Sequence, residues 1–371
     1  MSNDRPTSHD ISGRVGASTI DRRRAARGVV AAITVCLWAI EPAIAQPAAA
    51  VCEGVNATIV GTDGPDVIDG TAQPDVIAGL AGDDVIRGLE GNDRICGGSG
   101  NDDLEGGGGD DYLFGEEDDD ALDAAPGQDL LYGGPGNDNL TGTQTTEGLW
   151  GGPDDDEIAG GPARYSDSPT PISVDLETGT ATGFGNDRLI NVNSVSGSTH
   201  DDVFLGGPAA DTIHGSFGAD RIEGRGLGDT LFGGPGDDFM DGGAGRDRMY
   251  GCAPVRCAEP DDDLVAGGPG KDLVGFYSDQ AQIVVDLSKG ISLGQGIDQI
   301  SGIENVRGSP ASANRVIGNV KPNRLIGGNR NDQLSGRGGN DELIGGKGRD
   351  ALTGGRGTDR CKGGEDNRSC E

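Results

Sequence analysis

A nine-residue period is the feature that most limits what this chain can fold into. From Gly61 to Ala159 the sequence advances in unbroken steps of nine, each aligned on its first residue, which is usually glycine. The sixth position is always acidic and is occupied by Asp66, Asp75, Asp84, Asp93, Asp102, Asp111, Asp120, Asp129, Asp138, Glu147 and Asp156. The eighth position is always a large aliphatic residue, namely Ile68, Ile77, Ile86, Ile95, Leu104, Leu113, Leu122, Leu131, Leu140, Leu149 and Ile158. Such a period indicates one small unit stacked many times.

The same pattern returns in two later blocks. The second begins at Gly197 and carries acids at Asp202, Asp211, Asp220, Asp229, Asp238 and Asp247, then at Asp263 and Asp272 after an interruption. The third begins near Gly308 with Asn314 and Asn323 at sixth positions, followed by Asp332, Asp341, Asp350 and Asp359. Two related segments between the blocks lie about 111 residues apart, which indicates duplication of a module. Their alternating Val, Ile and Leu residues favour strands that continue the stack over plain linkers.

Each step divides into a turn and a short strand. Positions one to six, as in Gly97-Gly98-Ser99-Gly100-Asn101-Asp102, have the glycine and Asx content of a turn. Positions seven to nine form a strand with one apolar side chain directed inward. Two steps make one coil, so alternate steps stack in a parallel sheet and only the array buries a core. The sequence therefore predicts an all-β fold, a parallel β-roll or β-solenoid.

The N-terminus has the features of an export signal. Four arginines precede an apolar run of 13 residues, Gly28 to Ile40, and Ala43-Ile44-Ala45 resembles a cleavage site. The alternative is a retained membrane anchor, which the short apolar run disfavours. The predicted organisation is a signal peptide (1–45), an N-terminal cap (46–60), repeat block 1 (61–164), a strand insertion (165–196), repeat block 2 with a Cys252–Cys257 insertion (197–276), a second strand insertion (277–307), and repeat block 3 with a disulfide cap (308–371).

Cleavage at this site leaves six cysteines in the mature chain, an even number that fits disulfides in an oxidising compartment. Fifteen pairings are possible for six cysteines. The spacing favours three sequential pairs: Cys52–Cys96, Cys252–Cys257 and Cys361–Cys370. Because Cys361 and Cys370 both fall at position eight, we expect them to face each other across the core from opposite sheets. Free buried thiols are the alternative.

The charge of the chain points to cations as ligands. The net charge is −33, and loss of residues 1–45 removes six Arg and four acids, which leaves −35. This charge disfavours nucleic acid and anionic membranes as partners. Stacked turns bring the sixth-position carboxylates together, and a divalent ion between them would reverse the repulsion. Aspartate and carbonyl oxygens suit calcium better than magnesium. On the order of fifteen ions would nearly cancel the charge, so calcium is predicted to be a folding cofactor.

The repeat Gly-Gly-x-Gly-x-Asp-x-(Leu/Ile)-x is similar to the RTX, or haemolysin-type, calcium-binding nonapeptide. The resemblance covers roughly 61–371 and implies a calcium-loaded β-roll in an extracellular protein. The sixth-position Asp is a ligand in that family, which carries over to Asp102, Asp111, Asp138, Asp238, Asp247, Asp272, Asp350 and Asp359. The array extends the prediction to Asp66, Asp75, Asp84, Asp93, Asp120, Asp129, Asp156, Asp202, Asp211, Asp220, Asp229, Asp332 and Asp341. The turns at Glu147, Asn314 and Asn323 depart from the pattern and are not counted.

The sequence favours a secreted, non-enzymatic calcium-binding protein. It has no His-Glu-x-x-His motif, and only His200 and His214 follow the predicted signal peptide. Gly290-Ile291-Ser292-Leu293-Gly294 matches a hydrolase pattern but lacks the following helix and a histidine partner. A toxin, adhesin or surface interaction protein is the alternative, and an exposed aromatic patch, for which Trp150 and Phe276 are candidates, would favour it. A convergent polar pocket would favour a third hypothesis, an enzyme. The sequence names no protein or glycan partner.

Overall fold

The computed structural model describes residues 50–143, 146, 148–251, 261–276, 282–294, 296–363, 366–368 and 370. The predicted signal peptide, Glu147, the Cys252–Cys257 segment and Tyr277-Ser278-Asp279 lie outside the described residues. The described part of the chain consists of strands and turns. Within it, no helix has the length and apolar character needed to cross a membrane.

The strands are short and follow one another at the period of the sequence. The first part of the chain contains β1 (Val51–Cys52), β2 (Val55–Asn56), β3 (Ile59–Val60), β4 (Val67–Asp69), β5 (Val76–Ala81), β6 (Val85–Glu90), β7 (Arg94–Ser99), β8 (Asp103–Gly108), β9 (Tyr112–Glu117), β10 (Ala121–Asp123), β11 (Leu130–Tyr132), β12 (Asn139–Thr141), β13 (Gly148–Trp150), β14 (Glu157–Ala159) and β15 (Ala163–Arg164). The first insertion contains β16 (Ser173–Asp175), β17 (Thr180–Thr182), β18 (Asn186–Ile190) and β19 (Ser194–Ser196).

The second half repeats this order. Its strands are β20 (Val203–Leu205), β21 (Thr212–His214), β22 (Arg221–Glu223), β23 (Thr230–Phe232), β24 (Phe239–Asp241), β25 (Arg248–Tyr250), β26 (Leu264–Ala266), β27 (Asp272–Gly275), β28 (Val284–Asp286), β29 (Ile291–Leu293), β30 (Ile297–Ser301), β31 (Ile303–Arg307), β32 (Arg315–Ile317), β33 (Arg324–Gly328), β34 (Gln333–Gly338), β35 (Glu342–Gly346), β36 (Ala351–Arg356), β37 (Arg360–Lys362) and β38 (Asp366–Arg368).

Successive strands of each block alternate between two parallel sheets. Sheet 1 has sixteen strands and begins β3-β5-β7-β9, and sheet 2 begins β4-β6-β8-β10. Neighbours in one sheet are two steps apart in sequence, as where Ile77 of β5 lies opposite Ile95 of β7. The prediction of a parallel β-roll with two steps per coil is therefore confirmed.

The core is a double column of eighth-position side chains between the two sheets. Residues of the column such as Ile95, Leu131 and Leu231 have no exposed surface, and Phe204 is among the largest fully buried side chains. Because strand side chains alternate between faces, one residue of each three-residue strand points inward and its two neighbours point outward. No single step encloses a core, and the stack does so only by repetition.

Both segments between blocks contain the expected strands. In the first insertion, β18 pairs in parallel with β14, and β16 pairs in parallel with β20. The antiparallel strand β17 lies between β16 and β18, so sheet 2 continues through the insertion. The second insertion repeats this arrangement with β28, β29 and β30. We call each insertion, together with the turns that flank it, a seam.

Two of the three predicted disulfides lie in the described residues, and both are formed. Cys52 of the β1–β2 hairpin is bonded to Cys96 of β7, with Cα atoms 5.5 Å apart. Cys361 is bonded to Cys370 with Cα atoms 5.6 Å apart.

The expectation that Cys370 lies across the core from Cys361 is wrong. In sheet 2 Asn367 is the residue opposite Leu352, and Cys370 follows the end of β38. Packed sheets are about 10 Å apart, whereas a disulfide needs Cα atoms within about 7 Å. Cys370 must therefore leave the opposite strand to reach Cys361.

Candidate metal sites in the turns

The sixth-position carboxylates form two rows, one along each edge where turns connect the sheets. Within a row, each residue's backbone N–H donates to Oδ1 of the acid one coil later. The Asp84 N–H, for example, donates to Asp102 Oδ1 at 2.8 Å, and the Asp220 N–H donates to Asp238 Oδ1 at 2.9 Å. These bonds fix one oxygen of each carboxylate in the stack.

The other oxygen of most predicted ligands is buried and makes no hydrogen bond. This holds for Oδ2 of Asp84, Asp93, Asp102, Asp111, Asp120, Asp129, Asp138, Asp156, Asp220, Asp229, Asp238, Asp247, Asp272, Asp332, Asp341, Asp350 and Asp359. A buried carboxylate oxygen without a partner is costly. A row of them requires protons or cations to compensate the charge.

The pKa values of these acids show the same cost. Burial is the main cause that raises the pKa of Asp238 to about 9, and the charges of neighbouring acids raise it further. The hydrogen bond from the Asp220 N–H lowers this pKa but does not offset the rise. The same causes raise the pKa of Asp120 and Asp156 to about 8 and that of Asp138 to about 7. The carboxylates therefore lie where negative charge is poorly solvated, which is the condition that a bound cation would relieve.

The remaining predicted ligands, Asp66, Asp75, Asp202 and Asp211, have a different environment. In each, Oδ2 accepts a hydrogen bond from the backbone N–H of position two in the same turn. The donors are Thr62 (2.6 Å), Thr71 (2.7 Å), Ser198 (2.7 Å) and Gly207 (2.6 Å). The structure thus separates the 21 predicted ligands into two groups that look alike in sequence.

Two further acids have the environment of the predicted ligands. Asp263 is buried, accepts the Asp238 N–H at Oδ1 (3.1 Å), and has a pKa raised to about 8, first by burial. Asp261 has a buried Oδ2 without a hydrogen bond. Asp263 continues the row after Asp238, and the return of the acid–x–aliphatic pattern at Val265 was the signal that could have included it.

A second row of Asx side chains, at position five, was not predicted. Here the side chain of one coil accepts a hydrogen bond from a backbone N–H of the next coil. In the sixth-position row the direction is opposite, since the backbone N–H of one coil donates to the side chain of the next. Asp83 Oδ1 accepts the Asn101 N–H at 3.1 Å, and Asp119 Oδ1 accepts the Asn137 N–H at 2.8 Å. The recurrent Asn-Asp and Asp-Asp pairs at positions five and six are the sequence signal for these two opposed rows.

The donor set fits a calcium ion if carbonyl oxygens contribute. Among the described residues, no three Asp, Glu, His or Cys side chains are close enough to hold a metal ion by themselves. A side chain at Gly97 would bring its Cβ within 2.2 Å of Asp102 Oδ2, so glycine at position one keeps the space beside that oxygen open. The sites would therefore combine the unpartnered Oδ2 atoms with backbone carbonyls, the hard oxygen ligands that calcium takes.

The amide of Asn314 shows that acceptors converge at the sixth position. Its Nδ2 donates to Ser309 O (2.9 Å), Ser312 O (3.1 Å) and Asp332 Oδ1 (2.9 Å). A group with positive polarity is thus surrounded by oxygens at the corresponding place in this turn. In a turn with aspartate at the sixth position, a cation could take the place that this amide nitrogen occupies.

Glycine-rich turns, stacked carboxylate rows and a two-sheet coil together define the class of repeat proteins whose turns bind calcium. The model of the RTX calcium-binding nonapeptide repeat matches residues 60–95, 69–104, 97–131, 114–144, 196–227, 223–251, 317–352, 326–361 and 335–368, more than half of the chain. The chain belongs to this family. No curated protein matches it.

Proposed function

We propose that this chain is a secreted, non-enzymatic protein that folds outside the cell by binding many calcium ions in the turns of its β-roll. The observation that carries the proposal is the set of buried, unpartnered Oδ2 atoms at sixth positions. Without cations these atoms oppose folding, and with calcium they become ligands. RTX repeat proteins are generally secreted, and calcium is plentiful outside cells.

The absence of enzymatic activity is part of this proposal. Ser292, the serine of the hydrolase-like pattern, is buried in β29, and its Oγ donates to Asp298 Oδ2. Burial, and then the charge of Arg164, lowers the pKa of His214 to about 4, and the imidazole stacks on Phe232 at 4.2 Å. The geometry of these groups supports structural roles.

Calcium titration of residues 46–371 tests the function. Circular dichroism should show little β-structure in chelator and a cooperative gain on adding millimolar calcium. Trp150, the only tryptophan after the predicted signal peptide, stacks on Tyr132 at 4.6 Å and should report the same transition by its fluorescence. Magnesium at equal concentration is the control. Identical spectra in chelator and calcium, with no bound calcium by mass spectrometry, would refute the proposal.

A surface interaction module is the second candidate function, and an aromatic ladder on the outer face of sheet 1 favours it. Phe114, Tyr132 and Trp150 stack with ring centroids 5.0 and 4.6 Å apart. Farther along the sheet, His214, Phe232 and Tyr250 form a second stack. Flat rings on a rigid sheet can bind a ligand with an apolar face, such as a sugar ring.

A cleft of about 360 Å³ lies between the two stacks and is lined by Trp150, Arg164, His214 and the exposed Phe217, among others. Ligand binding there should alter Trp150 fluorescence. We would titrate the calcium-loaded protein with soluble oligosaccharides and repeat the titration with Phe217→Ala. A saturable change that this variant abolishes would support the interaction module, and an unchanged signal throughout would count against it.

A further inference from the structure

The turns of this protein fall into two structural classes. In closed turns, the position-two N–H donates to the side chain at position six of the same turn. The group comprises the turns with Asp66, Asp75, Asp202 and Asp211, and also those of Asn314 and Asn323, whose Oδ1 atoms accept the N–H groups of Ser309 (3.0 Å) and Asn319 (2.8 Å). The Asn314 turn has one residue more than the others between donor and acceptor. In open turns Oδ2 of the acid makes no hydrogen bond.

Backbone conformation separates the same two classes. Position two of open turns has positive φ, as at Gly98 (122°) and Gly234 (115°), whereas position two of the closed turns does not. The Gly327 turn is intermediate: Gly328 lacks positive φ and its N–H lowers the pKa of Asp332, although no hydrogen bond reaches Oδ2.

The local sequence accounts for closure only in part. Thr62 and Thr71 at position two are β-branched and poorly suited to positive φ, but Ser216 of an open turn has a φ of 85° and Gly207 of a closed turn lacks positive φ. Three closed turns also have proline at position five, namely Pro65, Pro74 and Pro322. Proline keeps the preceding residue extended, so position four cannot adopt the left-handed conformation that Gly100 (116°) and Gly236 (138°) adopt in open turns.

Closed turns occupy one place in the architecture, the first turn on each edge of each block. Asp66 and Asp75 begin block 1, Asp202 and Asp211 follow the first insertion, and Asn314 and Asn323 follow the second. The next residue in each row is open or, at Asp332, intermediate. Each carboxylate row therefore starts from a side chain whose oxygen is already satisfied.

Where a row of this edge runs into a seam, it also ends on a satisfied group. The Asp156 N–H donates to Asp187 Oδ1, and Asp187 Oδ2 accepts the Tyr165 hydroxyl at 2.8 Å. In the second seam the Asp263 backbone N–H donates to Asp298 Oδ1, and Asp298 Oδ2 accepts a hydrogen bond from the Ser292 hydroxyl.

On the other edge of the roll, the end of the row is described only at the second seam. At the first seam the Thr143 N–H donates to Thr146 Oγ1 at 2.7 Å, and the sixth position of that turn, Glu147, lies outside the described residues. At the second, the Asp272 N–H donates to Glu304 Oε2, and Glu304 Oε1 lies 3.2 Å from Lys321 Nζ.

The seams contain positive charges from the protein itself. Arg225 Nη1 lies 3.2 Å from Asp175 Oδ1 and 3.0 Å from Glu177 Oε2, and it also donates to the carbonyl oxygen of Gly206 in a closed turn (3.4 Å). In the second seam Arg337 Nη2 lies 3.5 Å from Asp286 Oδ2. A guanidinium thus meets carboxylate and carbonyl oxygens at the places where the rows are interrupted.

From these contacts we infer that only the open turns hold calcium, and that the two seams are metal-free boundaries that divide the roll into three separate calcium arrays. Closed turns satisfy their sixth-position oxygen by a backbone N–H, and arginines pair with Asp175, Glu177 and Asp286 of the insertions. The inference rests on the proposed function, since it selects which of the family's turns bind the ion. It assigns no calcium to Asp66, Asp75, Asp202 or Asp211.

Matched Asp→Asn variants test this assignment. Asp211 and Asp238 belong to turns that both begin Gly-Gly-Pro, one closed and one open. Asparagine can replace Asp211 because its Oδ1 can accept the Gly207 N–H, as Asn323 accepts that of Asn319. In block 1, Asp75→Asn and Asp93→Asn form a second closed and open pair, which also guards against failure of one variant to fold.

Bound calcium per chain is measured by mass spectrometry on residues 46–371, with circular dichroism to confirm folding. Asp238→Asn and Asp93→Asn should each lose about one bound ion relative to the parent. The loss should exceed one ion if ions are shared between turns. Asp211→Asn and Asp75→Asn should bind as many as the parent. Loss of calcium from either closed-turn variant, or no loss from both open-turn variants, would overturn the inference. A parent protein that binds no calcium would instead refute the proposed function.

Discussion

Replacing Asp238 by Asn should stabilise the metal-free protein and weaken its response to calcium, two effects of opposite sign in one variant. In the absence of metal, burial and the neighbouring charges of Asp263 and Asp220 raise the pKa of Asp238 to about 9, although the Asp220 N–H lowers it. A neutral amide removes this cost and keeps an acceptor for the Asp220 N–H. With calcium present, the same change removes a charged ligand.

The magnitude follows from the pKa shift. One pKa unit corresponds to about 1.4 kcal/mol, and roughly three units separate the ordinary aspartate pKa from pH 7. The metal-free fold is therefore destabilised by up to about 4 kcal/mol at Asp238, the part that Asn would recover. On the calcium side, an ion at a hundred times its Kd contributes about 2.7 kcal/mol, and the variant should lose much of that.

Two denaturation series measure these effects on residues 46–371. In chelator, trimethylamine N-oxide drives folding by exclusion from the protein surface, and Asp238→Asn should fold at a lower concentration than the parent. In calcium, the gain in urea resistance should be smaller for the variant. Asp103→Asn, the same change at an exposed outward position, should match the parent in both series. If Asp238→Asn needed more osmolyte in chelator, the idea that this carboxylate opposes metal-free folding would be wrong.

Acidification should partly replace calcium when the protein is kept in chelator. Burial raises the folded-state pKa of Asp263 to about 8, so the stability gained by protonating this carboxylate is fully present below the ordinary pKa and is lost as pH rises through 8. Circular dichroism should therefore show a gain of β-structure from pH 8 to pH 5. Loss of structure on acidification would contradict this. Leu131→Ala should lower the free energy of unfolding in calcium by about 2 to 5 kcal/mol, measured in urea, because Leu131 is fully buried in the column, whereas Leu130→Ala on the outward side should cost much less. A paired Cys361→Ser and Cys370→Ser variant should lose roughly 2 to 3 kcal/mol of unfolding free energy, the effect of a short disulfide loop. Reductant should destabilise the parent by about this much more than it destabilises the variant, because both proteins also contain the Cys52–Cys96 bond.

The fold could be predicted because its determinants repeat within each nine-residue step. Eighth-position residues such as Leu113 and Leu231 are all directed inward, since a three-residue strand has only one inward side chain. The period also determines the register, because a coil of two steps places each strand beside the strand eighteen residues away. Repetition supplied the long-range contacts that an aperiodic sequence does not reveal.

The candidate site could be predicted only in part, because its decisive contacts cross between coils or depend on backbone direction. The residue type of Asp211 is that of Asp238, yet one oxygen of Asp211 accepts a hydrogen bond from Gly207 and the corresponding oxygen of Asp238 accepts none. The difference arises from φ at position two, which a consensus of residue types does not specify. The prediction for Cys370 was wrong because the period alone places this residue in the strand opposite Cys361. A disulfide needs Cα atoms closer together than two packed sheets allow, and Cys370 lies beyond the end of that strand.

The two seams follow from the same electrostatics as the arrays. Each added coil buries further carboxylates beside the last, so a long uninterrupted row becomes harder to fold as it grows without metal. Residues such as Arg225 and Lys321 supply positive charge that cannot be removed by a chelator, because it is covalently part of the chain. Where a row ends on an acid that accepts a hydroxyl hydrogen bond, as Asp187 does from Tyr165, that last acid needs no cation. The insertions thereby let the stack of strands continue while the dependence on calcium stops and begins again.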